Sequence, residues 1–251
     1  MEVLVCVKRV PTVGGAIALT GDGRGVDTRM SGFTISPHEE CAVEEAVRLC
    51  ERYGGSVTVV SLGPAEAEEQ LRSCLALGAS SAVLLETGGE EFGPMATAAA
   101  LHSVAASGGF DLVLLGNEAA DTGDYQVGVR LAHLLGWPVA TGVKALSVSA
   151  ASLEARREYR GVTEAFSLPL PAVVTVKEGI NLPRYPSLPG RLRAKRAAVT
   201  RVPVPFTADP GLRMTSLRVP PAARRQATVL GHGADAVPAL VSVLVGLGVV
   251  S

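Results

Sequence analysis

The sequence predicts a doubly wound α/β fold, with a mostly parallel sheet between two layers of helices. Three observations carry this. Over residues 1–140, short β-branched runs, apolar throughout like strands buried on both faces, alternate with amphipathic segments. The links between them are short, so successive strands run parallel with a helix crossing between. Hydrophobic residues make up 47% of the 251 but aromatics only 4%, with 28 glycines, a composition suited to close packing of small residues. The same scarcity of aromatic rings argues against single-strand nucleic-acid binding by base stacking.

The elements follow in order. Residues 3–7, 57–61, 82–85 and 111–116 read as buried parallel strands. The segment HEECAVEEAVRLCERYGG places Cys41, Val43, Ala46, Val47 and Cys50 on one helical stripe, with Glu44, Glu45, Arg48 and Arg52 on a solvated face. Ser36 is the expected cap, Pro37 suits the first turn and Gly54 closes the helix. Pro64 begins a second helix ended by Gly78, and Pro94 a third ended by Gly108. After Trp137 the pattern changes: residues 143–148, 153–159 and 162–168 read as a β-hairpin or meander, and 171–176 as a last buried strand. From Lys177 to Arg225 the chain is rich in Pro and Arg and reads as an extended arm. An apolar helix over 236–247 follows and needs a surface to cover it. The expected division is an α/β domain at 1–182, with its hairpin at about 143–168, and an arm with a terminal helix at 183–251.

Charge and cysteine content narrow the function. Lys and Arg total 23 against 24 Asp and Glu, a net charge of −1, which speaks against a nucleic-acid or membrane-surface partner for the whole chain. Cys6, Cys41, Cys50 and Cys74 form no CxxC pair, and the four histidines lack metal-ligand spacing, so neither a metal nor a disulfide is expected. No apolar run is long enough for a membrane span, and a cytoplasmic location is the simplest expectation.

In a doubly wound sheet, ligands bind beyond the carboxyl ends of the strands where strand order reverses. The most informative loop is GNEAADTGDYQVGVRLA after Gly116, with a helix expected from about Asp124. Amides of Gln126, Val127 and Gly128 at that helix start would suit a phosphate, with Gly128 allowing close approach. Gly21, Gly23 and Gly25 lack the dinucleotide spacing and read as a polar turn. Glu39–Glu40 and Glu44–Glu45 read as a solvated face. No nucleophile–base–oxyanion set can be named, so the residues describe a nucleotide holder, Rossmann-like in kind, without catalytic residues.

Five motifs in register carry a resemblance: VCVKRV, SPHEECAVEEAVRL, VSLGPAEAEEQLRSCLALGA, DLVLLGNEAADTGDYQVG and LPLPAVVTVKEGINLPRYPSLPGRLRAKR. Together they closely resemble the β subunits of electron transfer flavoproteins, across about residues 2–200. The resemblance implies a heterodimer with an α subunit and an FAD held mainly by that partner. It also implies a structural AMP in the β subunit, with electrons taken from acyl-CoA or similar dehydrogenases, as in fatty acid β-oxidation, and passed to a membrane quinone oxidoreductase. Carried over by position, the AMP site comprises Cys6, Val7, Ser36, Pro37, His38, Glu39, Leu62, Gly116, Asn117, Ala120, Asp121, Gln126, Val127 and Gly128. Val13 and His38 would approach the FAD. In the stretch RREYRGVTEAFSLPLPAVVT, Arg160 and Val162 depart from the family signature, while Glu158 matches a carboxylate that pairs with the α subunit's flavin domain.

The segment 183–196 resembles the family's partner-recognition loop. Leu188 would anchor in an apolar pocket of the dehydrogenase, steered by Arg191, Arg193, Lys195 and Arg196. Two alternatives stand beside this reading. One is the electron-bifurcating branch of the family, with a second FAD and NADH oxidation. The other is a free-standing ATP-binding domain like the universal stress proteins.

Overall fold

The inner strands of the central sheet alternate between two buried faces, and that alternation decides the architecture. In β1 (Glu2–Cys6), Val3 and Val5 enter one apolar core while Leu4 and Cys6 enter the other. The fold is seen in a computed structural model describing residues 1–12, 14, 17–149, 151–205, 214–221 and 227–250. The chain divides into two units, 1–216 and 217–251.

In the first unit, β1 is followed by a small antiparallel pair, β2 (Arg9–Pro11) and β3 (Phe33–Ile35), then α1 (Pro37–Tyr53) and β4 (Ser56–Gly63). Next come α2 (Glu68–Leu77), β5 (Ser81–Glu86), α3 (Pro94–Ala105), β6 (Leu112–Gly116) and α4 (Val127–Leu135). β7 (Val139–Val143) leads into three antiparallel strands: β8 (Ala145–Val148), β9 (Ser152–Tyr159) and β10 (Val162–Pro169). β11 (Ala172–Val176), α5 (Leu188–Arg196) and β12 (Val199–Pro203) complete the unit.

The seven-stranded sheet has the order β12-β5-β4-β1-β6-β11-β7, parallel throughout. One core lies between this sheet and α1 and α2, with Val57, Leu71, Leu112 and Val174 fully or almost fully buried. The opposite core carries Leu101 of α3 and Leu131 of α4 against Val60 and Val113. The order reverses between β1 and β6: β1 leads by α1 to β4 on one side, while β6 lies on the other. The crevice at this reversal is where such sheets bind ligands.

The expected α/β class, hairpin and terminal helix are all present. Differences concern the edges. Pro64 opens a 3₁₀ turn, Ala65–Ala67, before α2 starts. β7, not among the expected strands, is a parallel strand beside β11 that ends where the expected hairpin begins. The larger correction is at 177–225. Part of this expected arm is built into the first unit, because Arg and Pro here alternate with residues that pack, such as Ala194 on α5 and Val199 on β12. β12 pairs with β5 from Val199↔Ala82 to Pro203↔Glu86, so the α/β unit extends well past residue 182.

In the second unit, a 3₁₀ turn (Gly233–Ala236) leads into α6 (Val237–Gly246), whose Val237, Leu240, Val241, Val243 and Val245 are each about half exposed. Among the described residues, no helix is long and apolar enough to cross a membrane.

Candidate functional site

At the reversal, β1 ends with Cys6 and the chain turns out at Val7, whose N–H still bonds the Val60 carbonyl at 2.9 Å. Cys6 is buried, and burial, reinforced by Glu39, holds its thiol well above the ordinary range. It is therefore an inert packing residue. Lys8 follows. Its backbone N–H donates to Glu39 Oε2 at 2.7 Å, and its ammonium meets Asp121 Oδ2 at 2.7 Å and Glu91 Oε1 at 3.2 Å. Burial lowers the Lys8 pKa, but Glu91 and Asp121 more than offset this, leaving it raised. The cation thus ties the loop after β1 to the loop after β6.

The start of α1 stands beside these groups. Pro37 occupies the first turn as expected, but Ser36, though in the cap position, makes no side-chain cap. Its hydroxyl instead donates to the Glu118 carbonyl at 3.4 Å. Glu39 is not on a solvated face: it is 6% exposed, and burial raises its carboxyl pKa to about 8. Gly116 makes that approach possible, because a Cβ there would lie 2.8 Å from Glu39 Cγ and 3.1 Å from His38 Cβ. His38 Nδ1 is buried, has no hydrogen-bond partner among the described residues, and lies 4.0 Å from Glu118 Oε1.

Loop 117–126 closes the crevice. Asn117 Oδ1 accepts from Thr175 Oγ1 at 2.8 Å, and Thr175 Oγ1 accepts from the Gly142 N–H at 3.1 Å, so β6, β11 and β7 are laced together where the loop departs. Ala120 is exposed at the tip, and Asp121 turns back to Lys8. Tyr125, a non-glycine residue at φ 56°, hydrogen-bonds Glu118, and that bond raises its pKa. Such a conformation is uncommon outside glycine and concentrates at functional loops.

Helix α4 begins at Val127, three residues later than expected. No side chain caps it, so the first-turn N–H groups keep the positive end of the helix free of side-chain acceptors. Gln126 Oε1 accepts from Arg130 Nε and Nη2 at 3.0 and 2.8 Å. Gly128 also has a packing role. A Cβ there would stand 2.4 Å from Thr175 Cγ2, so the missing side chain lets α4 pack on β11. Leu62, on β4, packs partly buried against the core beneath α3 and α4.

The structure therefore gathers Cys6, Val7, Ser36, His38, Glu39, Gly116, Asn117, Asp121 and the α4 start around one crevice. Val13 lies outside the described residues. Sequence reasoning missed Lys8, Glu118 and Thr175. Lys8 had a signal, as the first charged residue after a wholly apolar strand. Thr175 had none, since a threonine in a buried strand reads as packing. Among the described residues, no three His, Cys, Asp or Glu side chains come together to hold a metal.

A second surface is formed by α5 and the chain before it. Leu188 is 71% exposed, as an anchor requires, but Leu182, Tyr185 and Leu192 are exposed beside it. Arg191, Arg193, Lys195 and Arg196 are exposed on the helix, and an open surface hollow of about 560 Å³ is lined by Pro189, Leu192, Arg193, Arg196 and Ala197. Glu158 lies elsewhere, on β9, exposed and 3.3 Å from Lys144 Nζ. Glu44 and Glu45, expected in solvent, are buried beneath the segment that enters α5.

Residues 25–207 match the family model described as the electron transfer flavoprotein domain. Curated relatives named electron transfer flavoprotein subunit beta extend the match. That of Bacillus subtilis (strain 168) is 36% identical over 220 residues, covering 84% of this chain and 86% of its own. That of Bradyrhizobium diazoefficiens is 39% identical over 219 residues, with 86% of each chain covered. The human one is 37% identical over 220, covering 86% of this chain and 85% of its own.

Proposed function

Because the chain belongs to the electron transfer flavoprotein family as a β subunit, we propose that it is an electron-carrier subunit, not an autonomous enzyme, working in a heterodimer with an α subunit. In this reading the crevice between β1 and β6 holds a structural AMP. One observation carries it: the start of α4, which no side chain caps, packs at Gly128 on Thr175, whose hydroxyl bonds Asn117 where the loop leaves β6 at the reversal of the sheet.

The residues present fit an adenylate. The first-turn amides of α4 at Val127 and Gly128 supply the N–H donors and the positive helix end that a phosphate needs. Glu39, Glu118 and Asp121 supply acceptors for hydroxyl groups, and His38 Nδ1 has no hydrogen-bond partner among the described residues. Gln126, Asn117 and Ser36 frame the same crevice. The FAD, when bound at the junction with the α subunit, supplies the acceptance and release of electrons. This chain's part is to seat it, with His38 the described residue nearest that role. The apolar residues of α6 would be covered by the α subunit, and Glu158 would pair across to it. The α5 surface would dock acyl-CoA or similar dehydrogenases, with electrons passing on to a quinone oxidoreductase, in the cytoplasm.

Co-expression with the α subunit tests this. The heterodimer is expected to hold one FAD and one AMP, while this chain purified alone keeps AMP and no flavin. Two flavins per heterodimer would favour the bifurcating branch instead. Flavin held firmly by this chain without any adenylate would overturn the assignment.

A further inference from the structure

The docking surface is held by polar contacts between α1 and the chain that enters α5. Before α5, the chain leaves β11 and crosses α1. Asn181 Nδ2 donates to the Cys41 carbonyl at 3.0 Å and to Glu45 Oε2 at 2.9 Å. Arg184 then makes a double fork. Its Nε and Nη2 donate to the two oxygens of Glu44 at 2.9 and 3.0 Å, and its Nη1 and Nη2 to those of Glu51 at 2.6 and 2.9 Å. The Arg184 backbone N–H donates to Glu44 as well, at 3.1 Å. Glu44 is 5% exposed, so this is a largely buried carboxylate whose charge is met by one guanidinium.

Four residues after Arg184 comes Leu188. Between them Ser187 caps α5 by accepting the Gly190 N–H at 3.2 Å. The far end of α5 is held by α2: Arg72 Nη1 donates to the carbonyls of Ala194, Lys195 and Ala197 at 2.6, 3.3 and 3.2 Å. Both ends of the helix are thus fixed, while Leu188 and Leu192 on it, and Tyr185 just before it, stay exposed. A surface ordered before encounter loses less conformational freedom on binding.

We propose that Arg184 is a positioning residue for partner docking: its fork onto Glu44 and Glu51 fixes the chain entering α5, so that Leu188 is presented preformed. This rests on the reading of α5 as the docking element. Arg184 itself need not touch the partner.

The test uses the heterodimer as acceptor for a purified acyl-CoA dehydrogenase, with KM and kcat measured separately and FAD and AMP content checked. Arg184→Gln is expected to raise KM about tenfold with kcat and cofactor content unchanged, equivalent to ~1.4 kcal/mol. Arg184→Lys should fall between, since one ammonium cannot fork across two carboxylates. Leu188→Ala should raise KM on its own, and the Arg184→Gln, Leu188→Ala double variant should be no worse than Leu188→Ala alone, because the arginine acts through the leucine. If Arg184→Gln fails to assemble, Glu51→Gln replaces it, leaving buried Glu44 paired and raising KM about threefold. An unchanged KM in these variants beside a raised one in Leu188→Ala removes Arg184's role and keeps the docking reading. Additive effects in the double variant, or a fall in kcat alone, also overturn the role. An unchanged KM in Leu188→Ala removes the docking reading and this proposal with it.

Discussion

The ammonium of Lys8 stands 2.7 Å from Asp121 Oδ2, joining the loop after β1 to the loop after β6 across the reversal of the sheet. The pair is partly shielded, with the two side chains 30% and 16% exposed, so solvent screens it less than a surface pair. Asp121→Asn keeps the shape and removes the charge. Release of radiolabelled AMP from the heterodimer is expected to quicken about five- to tenfold, roughly 1 to 1.4 kcal/mol. An unaltered release rate would separate this ion pair from nucleotide retention.

Glu39 gives the crevice a pH dependence of unusual sign. Its carboxyl is raised by burial to about 8, against an ordinary value of 4.5. Between those values the folded chain holds a proton that the unfolded chain has lost, so stability falls as pH rises through this window. Glu39→Gln cannot lose that proton. Relative to the parent, the variant should therefore gain stability from pH 5 to pH 8.5, by on the order of 4 kcal/mol at most. Thermal unfolding of both heterodimers across that range measures it, and parallel curves would show that Glu39 does not titrate in this window.

Gly128 and Thr175 form a steric pair. Gly128→Ala places a Cβ 2.4 Å from Thr175 Cγ2, and the overpacking should cost about 1–3 kcal/mol. Thr175→Ser removes that methyl while keeping the hydroxyl that bonds Asn117 and Gly142. The combined variant should recover most of the loss in denaturant midpoint. No recovery would mean that another contact excludes the side chain.

Much of the fold was legible because both faces of the central sheet are buried, and continuous apolar runs announce that directly. The hairpin was legible from turn residues and alternation. What escaped were the ion pairs and the edge strand that depend on partners far along the chain. Glu44 reads as solvated until Arg184, 140 positions away, is placed over it. β12 reads as part of an arm because Val199 and Val202 gain a partner only once β5 exists. Within the site, the loop after Gly116 could be chosen from strand-end logic, and the resemblance supplied the crevice residues. The reason for Gly128, however, lies in β11, which no local pattern around the glycine records.

The passage from β11 to β12 also sets a length. Its two ends are pinned, one by the guanidinium fork on α1 and the other by a ladder whose first rung is Val199↔Ala82. Inserting or deleting a single residue between these pins would either tear the fork open or slip the edge strand by one place, turning each of its side chains to the opposite side of the sheet. The belt thus acts as a ruler: its exposed side chains are free to change with the partner, while its length, and Gly190 and Ala194 where it packs, are not.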